Sequence, residues 1–158
     1  MAPAKKKEKA QQQVINSKAR FAYEVIARYV AGLVLKGSEV KSIRSGLAQL
    51  NDAYCFFLRG ELWSKGLHIA PYPHATSEIL APNRVRKLLL NRRELTKIKR
   101  LKDERGYTIV PLRLFIQDKR LVKLEIAIAK GKKKYDKREA IKTRDIERKL
   151  AKGDKITY

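Results

Sequence analysis

The sequence predicts a mainly β protein: an antiparallel barrel with about three flanking short helices and a basic C-terminal tail that is disordered on its own. Three observations point there. Apolar residues alternate with a period of two through most of the middle of the chain, as half-buried strands require. Strand-like and helix-like segments follow one another without regular alternation, which argues against a doubly wound parallel sheet. The ends are poor in apolar residues: 44% of the 158 residues are hydrophobic, but the segments before about residue 14 and after about 130 contribute little to that share. Residues 1–13 therefore read as a disordered basic N-terminal tail, 14–130 as one barrel domain, and 131–158 as a basic tail.

In chain order, the alternation from Phe21 to Leu35 marks a strand, with a phase slip near Ile26–Arg28 that a bulge would absorb. Gly37-Ser38 opens a short helix with Ser38 as N-cap and Val40, Ile43 and Leu47 on one face. Tyr54–Leu58, a turn at Arg59-Gly60, and the extended segments around Leu62-Trp63 and Leu67–Ala70 continue the sheet until Pro71 and Pro73 stop it. Val85, Leu88, Leu89, Leu95, Ile98 and Leu101 recur at helical spacing, so 84–104 reads as one helix or two short ones. Tyr107–Ile116 and Arg120–Ala129 form a hairpin around Gln117-Asp118-Lys119, with Val122, Leu124, Ile126 and Ile128 on one side. About six strands of this kind suit an OB-like barrel, whose sheet face and loops bind oligonucleotides.

The charge agrees. Lys and Arg number 38 against 16 Asp and Glu, a net charge of +22, with +7 in residues 84–105 and another +7 in 130–158. Such a surplus calls for a polyanion, and nucleic acid is the first candidate ahead of an anionic membrane surface or a purely solubilising role. No apolar run approaches the roughly 18 residues of a membrane span, and the lysine-rich start leads into Gln11-Gln12-Gln13 rather than a signal peptide, so the expected location is the cytoplasm.

Catalytic signals are scarce. Cys55 lies in Tyr-Cys-Phe-Phe as a small buried residue, His68 sits in an apolar strand and His74 in a Pro-flanked loop. One Cys and two His cannot make the usual four-ligand zinc site, and no glycine-rich phosphate loop occurs, so neither enzyme, metal nor cofactor is expected. Binding signals are richer. Asn16, Lys18 and Arg20 precede the first strand; Lys41 and Arg44 share a helix face, unless Glu39 pairs locally with Arg44. Leu90 should turn away from the core stripe unless a helix break at Asn91 hides it. In the tail, Tyr135 stands inside a cationic run where it can stack on a base. Asp136 and Glu139 have capping-box spacing ahead of Ile141, Ile146 and Leu150, enough for an amphipathic helix when a partner supplies the other wall.

Several ordered blocks resemble SmpB, the SsrA-binding (transfer-messenger-RNA-binding) family of bacteria. They are Asn16-Ser17-Lys18-Ala19-Arg20, Gly32 through Arg44, His68-Ile69-Ala70-Pro71-Tyr72, Arg84 through Glu94, and Ala129 through Arg138. The resemblance implies an OB-like barrel that grips the tRNA-like domain of transfer-messenger RNA (tmRNA), with a tail that enters the empty mRNA channel of a stalled ribosome. It implies an RNA surface containing Asn16, Leu90 and Lys123, beside Lys18, Arg20, Lys41, Arg44 and Asn91. It further implies a ribosome-binding tail of Gly131, Lys132, Lys133, Lys134, Tyr135, Asp136, Lys137, Arg138, Ile141 and Lys142, with Gly131 as hinge, Tyr135 in the decoding centre, and the segment at Ile141-Lys142 helical there. Implied partners are tmRNA, the stalled ribosome with its small-subunit rRNA, and elongation factor Tu reached through aminoacylated tmRNA, the protein itself being monomeric when free. The chain departs from the family at Val30, where members carry a Glu linked to RNA binding. The alternative is a general RNA-binding or structural ribosomal protein with the same fold.

Overall fold

A computed structural model describes residues 13–75 and 79–151. Asn16 stands at the first strand-to-helix junction. It caps helix α1 (Ser17–Ala22), its Oδ1 accepting from the Ala19 N–H at 3.0 Å, so Phe21 and Ala22, expected in a strand, close a helix instead. Strand β1 (Gln13–Ile15) precedes it and β2 (Tyr23–Leu33) follows, with a bulge between Val25 and Ala27 at the expected phase slip. Helix α2 (Gly37–Arg44) starts two residues earlier than an N-cap at Ser38 would place it: Lys36 is the N-cap, and its N–H donates to the Glu39 carboxylate at 3.3 Å.

Short strand β3 (Ala48–Gln49) pairs with β6 (His68–Ile69), and β4 (Tyr54–Leu58) with β5 (Glu61–Lys65) through the Arg59-Gly60 turn, both residues at positive φ. The segment expected to be helical from residue 84 divides. Arg86–Leu89 is strand β7, in which Arg86 and Leu88 are buried while Leu89 faces out, and Asn91 then caps α3 (Arg92–Arg105). The apolar spacing fits a helix only from Leu95 onward; Leu88 and Leu89 obey the two-residue period of a strand. Strands β8 (Thr108–Gln117) and β9 (Leu121–Gly131) form the expected hairpin, Asp118 and Lys119 taking the positive φ of its turn.

The strands run β1-β8-β4-β5-β7-β2-β9, and β9 also pairs with β8, so six of them close into a ring with β1 as an outer flap on β8. Closure removes the exposed edges that an open sheet would leave. Ala31, Leu62, Leu88, Leu114, Leu124, Ile126 and Ile128 fill the interior and Ile98 of α3 seals one side. A second, smaller cluster of Ala19, Val110, Leu112, Ala127 and Ala129 seats α1 on the outside of β8 and β9. Where a tail ordered only against a partner is expected, Lys134–Ala151 forms helix α4. Its apolar residues Ile141 and Ile146 face outward about half exposed, so no wall of the barrel covers that stripe.

Candidate nucleic-acid interface

The outer face of β9-β2-β7 brings together residues far apart in sequence. Gly32 pairs with Lys123 on one side and with Leu89 on the other. A Cβ at Gly32 would lie 3.3 Å from Leu89 Cβ and 3.8 Å from Lys123 Nζ, so only glycine leaves the floor of this face open between an ammonium and an exposed leucine. Val30, Val34 and Leu89 stand 48%, 47% and 51% exposed around it. Such an apolar patch with a cation at its edge suits the sugar and base surface of RNA beside a phosphate. Val30 lies directly opposite Glu125, whose carboxylate accepts from Arg113 Nε and sits 3.5 Å from Arg28 Nη1, so the acid of this face stands on β9 rather than β2.

The expected binding residues divide into three groups. Lys123 belongs to the face just described. Leu89, whose spacing suggests a helical core stripe, holds the exposed position expected of Leu90; strand β7 ends there, and Leu90 packs half-buried against the core. Asn91 itself is exposed at the α3 N-terminus, its N–H donating to Glu94 at 3.1 Å. The two-residue alternation of β7 would have found Leu89, had the segment been read as a strand.

Asn16 is built into the fold. Its side chain is buried and engaged at both ends: Nδ2 donates to the Pro111 carbonyl at 2.9 Å while Oδ1 caps α1. Its own N–H donates to the Leu112 carbonyl at 2.8 Å, just where Pro111, without an N–H, shifts the β8–β9 register. In this position Asn16 holds α1, on which Lys18 and Arg20 are exposed. Lys18 pairs with Asp52 at 3.1 Å, both well solvated, a contact weak enough to yield to a phosphate. Lys41 and Arg44 are exposed but partly engaged, Lys41 5.7 Å over the Tyr72 ring and Arg44 donating to the Lys119 carbonyl at 3.3 Å.

Glu39 does not pair with Arg44. It is buried at the α2 start, where Arg84 Nε donates to it at 3.0 Å and Arg86 Nε also donates. Burial alone would raise its carboxyl, but the hydrogen bonds from Arg84 and Arg86, the Arg86 charge and the Lys36 N–H outweigh it and hold the group below the usual carboxylate range. Arg86 is almost wholly buried and also donates to the carbonyls of Leu67 at 2.6 Å, Arg84 at 3.0 Å and Pro82 at 3.0 Å. This cluster ties α2 to β7 and so fixes the strand that presents Leu89.

In the tail, Lys132 N–H donates to the Ala22 carbonyl at 2.9 Å, anchoring the exit beside α1, while Gly131, Lys133, Arg138, Ile141 and Lys142 are exposed and Lys137 is half-buried. The side chains of Lys134, Tyr135 and Asp136 lie outside the described residues, as do those of Glu139 and Leu150 and residues 1–12 and 152–158 entirely.

Comparison with known proteins places the chain beside one family. The family model SmpB, described as SmpB protein, matches residues 13–155. The SsrA-binding protein of Phocaeicola vulgatus is 52% identical over 135 residues, covering 85% of this chain and 90% of that one. The SsrA-binding protein of Bacteroides thetaiotaomicron is 52% identical over 136 residues, covering 86% and 91%. A solved structure described as "tmRNA-SmpB: a journey to the center of the bacterial ribosome" superposes with a TM-score of 0.66 at 36% identity, covering 82% of this chain and 94% of that one.

Proposed function

The chain belongs to the SmpB family, and from that premise we propose that it is a tmRNA-binding protein of trans-translation, which binds the tRNA-like domain of tmRNA, delivers it to stalled ribosomes and lays its tail in the empty mRNA channel and decoding centre. The observation that carries this reading is the family match over nearly the whole described chain together with relatives that are half identical along both lengths.

We assign separate roles to the barrel and the tail. The barrel offers a preformed face, Lys123, Gly32 and Leu89, and we assign it to tmRNA together with Asn91 and the exposed cations of α1 and α2. Because the face is built on paired strands, binding costs little ordering, and phosphate contacts supply much of the affinity. The tail leaves the barrel at Gly131, and its lysines and arginines suit rRNA along a channel, with Tyr135 assigned to stack on a base where codon–anticodon pairing is missing. The exposed Ile141 and Ile146 give α4 an apolar stripe for the channel wall. Elongation factor Tu arrives on the aminoacylated RNA.

We read the protein as a non-enzymatic monomer of the cytoplasm, organised as a barrel domain over 14–130 between basic tails. No described helix is long and apolar enough to cross a membrane. Cys55, the one thiol, is buried and its pKa is pushed up to about 12, which suits packing and not nucleophilic chemistry. The test is truncation: removing residues 131–158 should leave affinity for the tRNA-like domain nearly unchanged and abolish peptide tagging. A truncated protein that loses RNA binding but still supports tagging contradicts the assignment.

A further inference from the structure

The outer face of β4 and β5 carries a row of side chains that the reading above leaves unused. Strand alternation buries Cys55, Leu62 and Ser64 and turns Tyr54, Phe56, Trp63 and Lys65 outward. Register sets Phe56 opposite Trp63, Trp63 opposite Lys87, and Tyr54 opposite Lys65. The Tyr54 and Phe56 rings lie 6.2 Å apart and tilted by 46°, and Tyr54 is 44% exposed. The Trp63 indole nitrogen is buried and has no hydrogen-bond partner among the described residues, so it is the ring and not its N–H that the row offers.

The row ends in an open cleft of about 410 Å³. Gln49, Asn51, His68 and Asn83 line it beside Tyr54 and Lys65, and so does Asp52, whose carboxylate is paired with Lys18 at 3.1 Å. Gln49 and His68 are direct cross-strand neighbours, so their polar ends share one face. Gly66 closes the base: at φ +78 a Cβ there would meet the Asp52 carbonyl oxygen at 2.4 Å, so the wall holds its shape.

Amide groups that both donate and accept, aromatic rings at the lip and a lysine that makes no ion pair among the described residues together match a nucleobase and its phosphate. The row is also continuous with the tmRNA face, because Lys87 opposite Trp63 stands two residues before Leu89 in β7. We propose that this row and cleft are a second RNA contact, at which a single-stranded segment of the bound tmRNA crosses β7, stacks on Tyr54, Phe56 and Trp63, and places one base among Gln49, Asn51, His68 and Asn83. The proposal rests on the tmRNA-binding reading and names a subsite beyond the Lys123–Leu89 face.

Trp63 is the only tryptophan, so its emission reports on the row. The experiment titrates full-length protein with labelled tRNA-like-domain RNA and follows anisotropy and tryptophan emission together. The expected result is quenching that tracks binding, a loss of affinity of roughly tenfold for Tyr54→Ala from one lost stack, a comparable loss for Lys65→Glu, and recovery with Tyr54→Phe. Full-affinity binding with unchanged emission, and with Tyr54→Ala and Lys65→Glu indistinguishable from the parent, overturns the second contact while the family reading stands. A short unrelated single-stranded RNA that quenches and competes as well as the tRNA-like domain overturns the assignment to tmRNA. Failure of the parent protein to bind the domain at all overturns both.

Discussion

Replacing Glu39 with Ala removes the shared acceptor of Arg84 and Arg86 and leaves Arg86, 1% exposed, as a buried charge without a counter-ion. Breaking a buried pair from one side costs about 3–5 kcal/mol. Three carbonyls still accept from Arg86, so the lower figure, about 3 kcal/mol, applies here. With a urea dependence of about 2 kcal/mol per molar, the unfolding midpoint should fall by about 1.5 M. The pH profile supplies a second reading. The Glu39 carboxyl is held below its ordinary value of 4.5, so the stability it contributes is present above that value and lost as pH falls through the lowered one. The parent protein should therefore weaken in acid below about pH 4.5, and Glu39→Gln should flatten that limb. Replacing Glu39 and Arg86 together by Leu and Met should recover most of the loss, because no uncompensated charge remains. A midpoint shift under about 0.5 M for Glu39→Ala, or a double variant as unstable as the single one, would refute the reasoning.

Three further outcomes follow from the same geometry. Asn16→Ala should cost about 1–3 kcal/mol in urea unfolding, since it removes the α1 cap and leaves the buried Pro111 carbonyl unpaired, and it should weaken RNA binding through displaced Lys18 and Arg20. Unchanged stability with lost RNA affinity would instead make Asn16 a direct contact. Cys55 should resist thiol reagents at pH 8 in the folded protein and react only under denaturing conditions, because burial holds its pKa near 12; rapid native labelling would contradict the packing. Affinity for the tRNA-like domain should fall on the order of 10³-fold between 50 and 200 mM salt if about six phosphates are neutralised, and a flat response would remove phosphate contacts as the main source of binding.

The barrel was legible where period two is unbroken. Val122, Leu124, Ile126 and Ile128 declared their shared face directly, and the slip near Ile26 became a bulge. Segment 84–104 misled because Leu88 and Leu89 lie at distances from Leu95 and Ile98 that also suit a helix; the strand assignment depends on long-range pairing with Trp63 and Gly32, which no local pattern carries. For the same reason Leu90 stood in for Leu89 in the expected interface. Asn16 was noticed as a polar residue before a strand, yet its partners lie 95 residues away at Pro111, so its burial could not be read locally. Glu39 has a basic neighbour at Arg44, but the cations that reach it, Arg84 and Arg86, come from a distant strand and its approach. The tail's charge was plain from composition, and the Asp136 and Glu139 spacing ahead of Ile141 and Ile146 suggested the helix of Lys134–Ala151, though only against a partner.

The central claim is that a rigid barrel face selects one folded RNA rather than polyanions in general. Competition at fixed salt tests it most directly: full-length protein bound to labelled tmRNA is challenged with unlabelled tRNA-like domain or with bulk tRNA. The account predicts that the tRNA-like domain displaces the label at far lower concentration than bulk tRNA does, and equal displacement by both would contradict it.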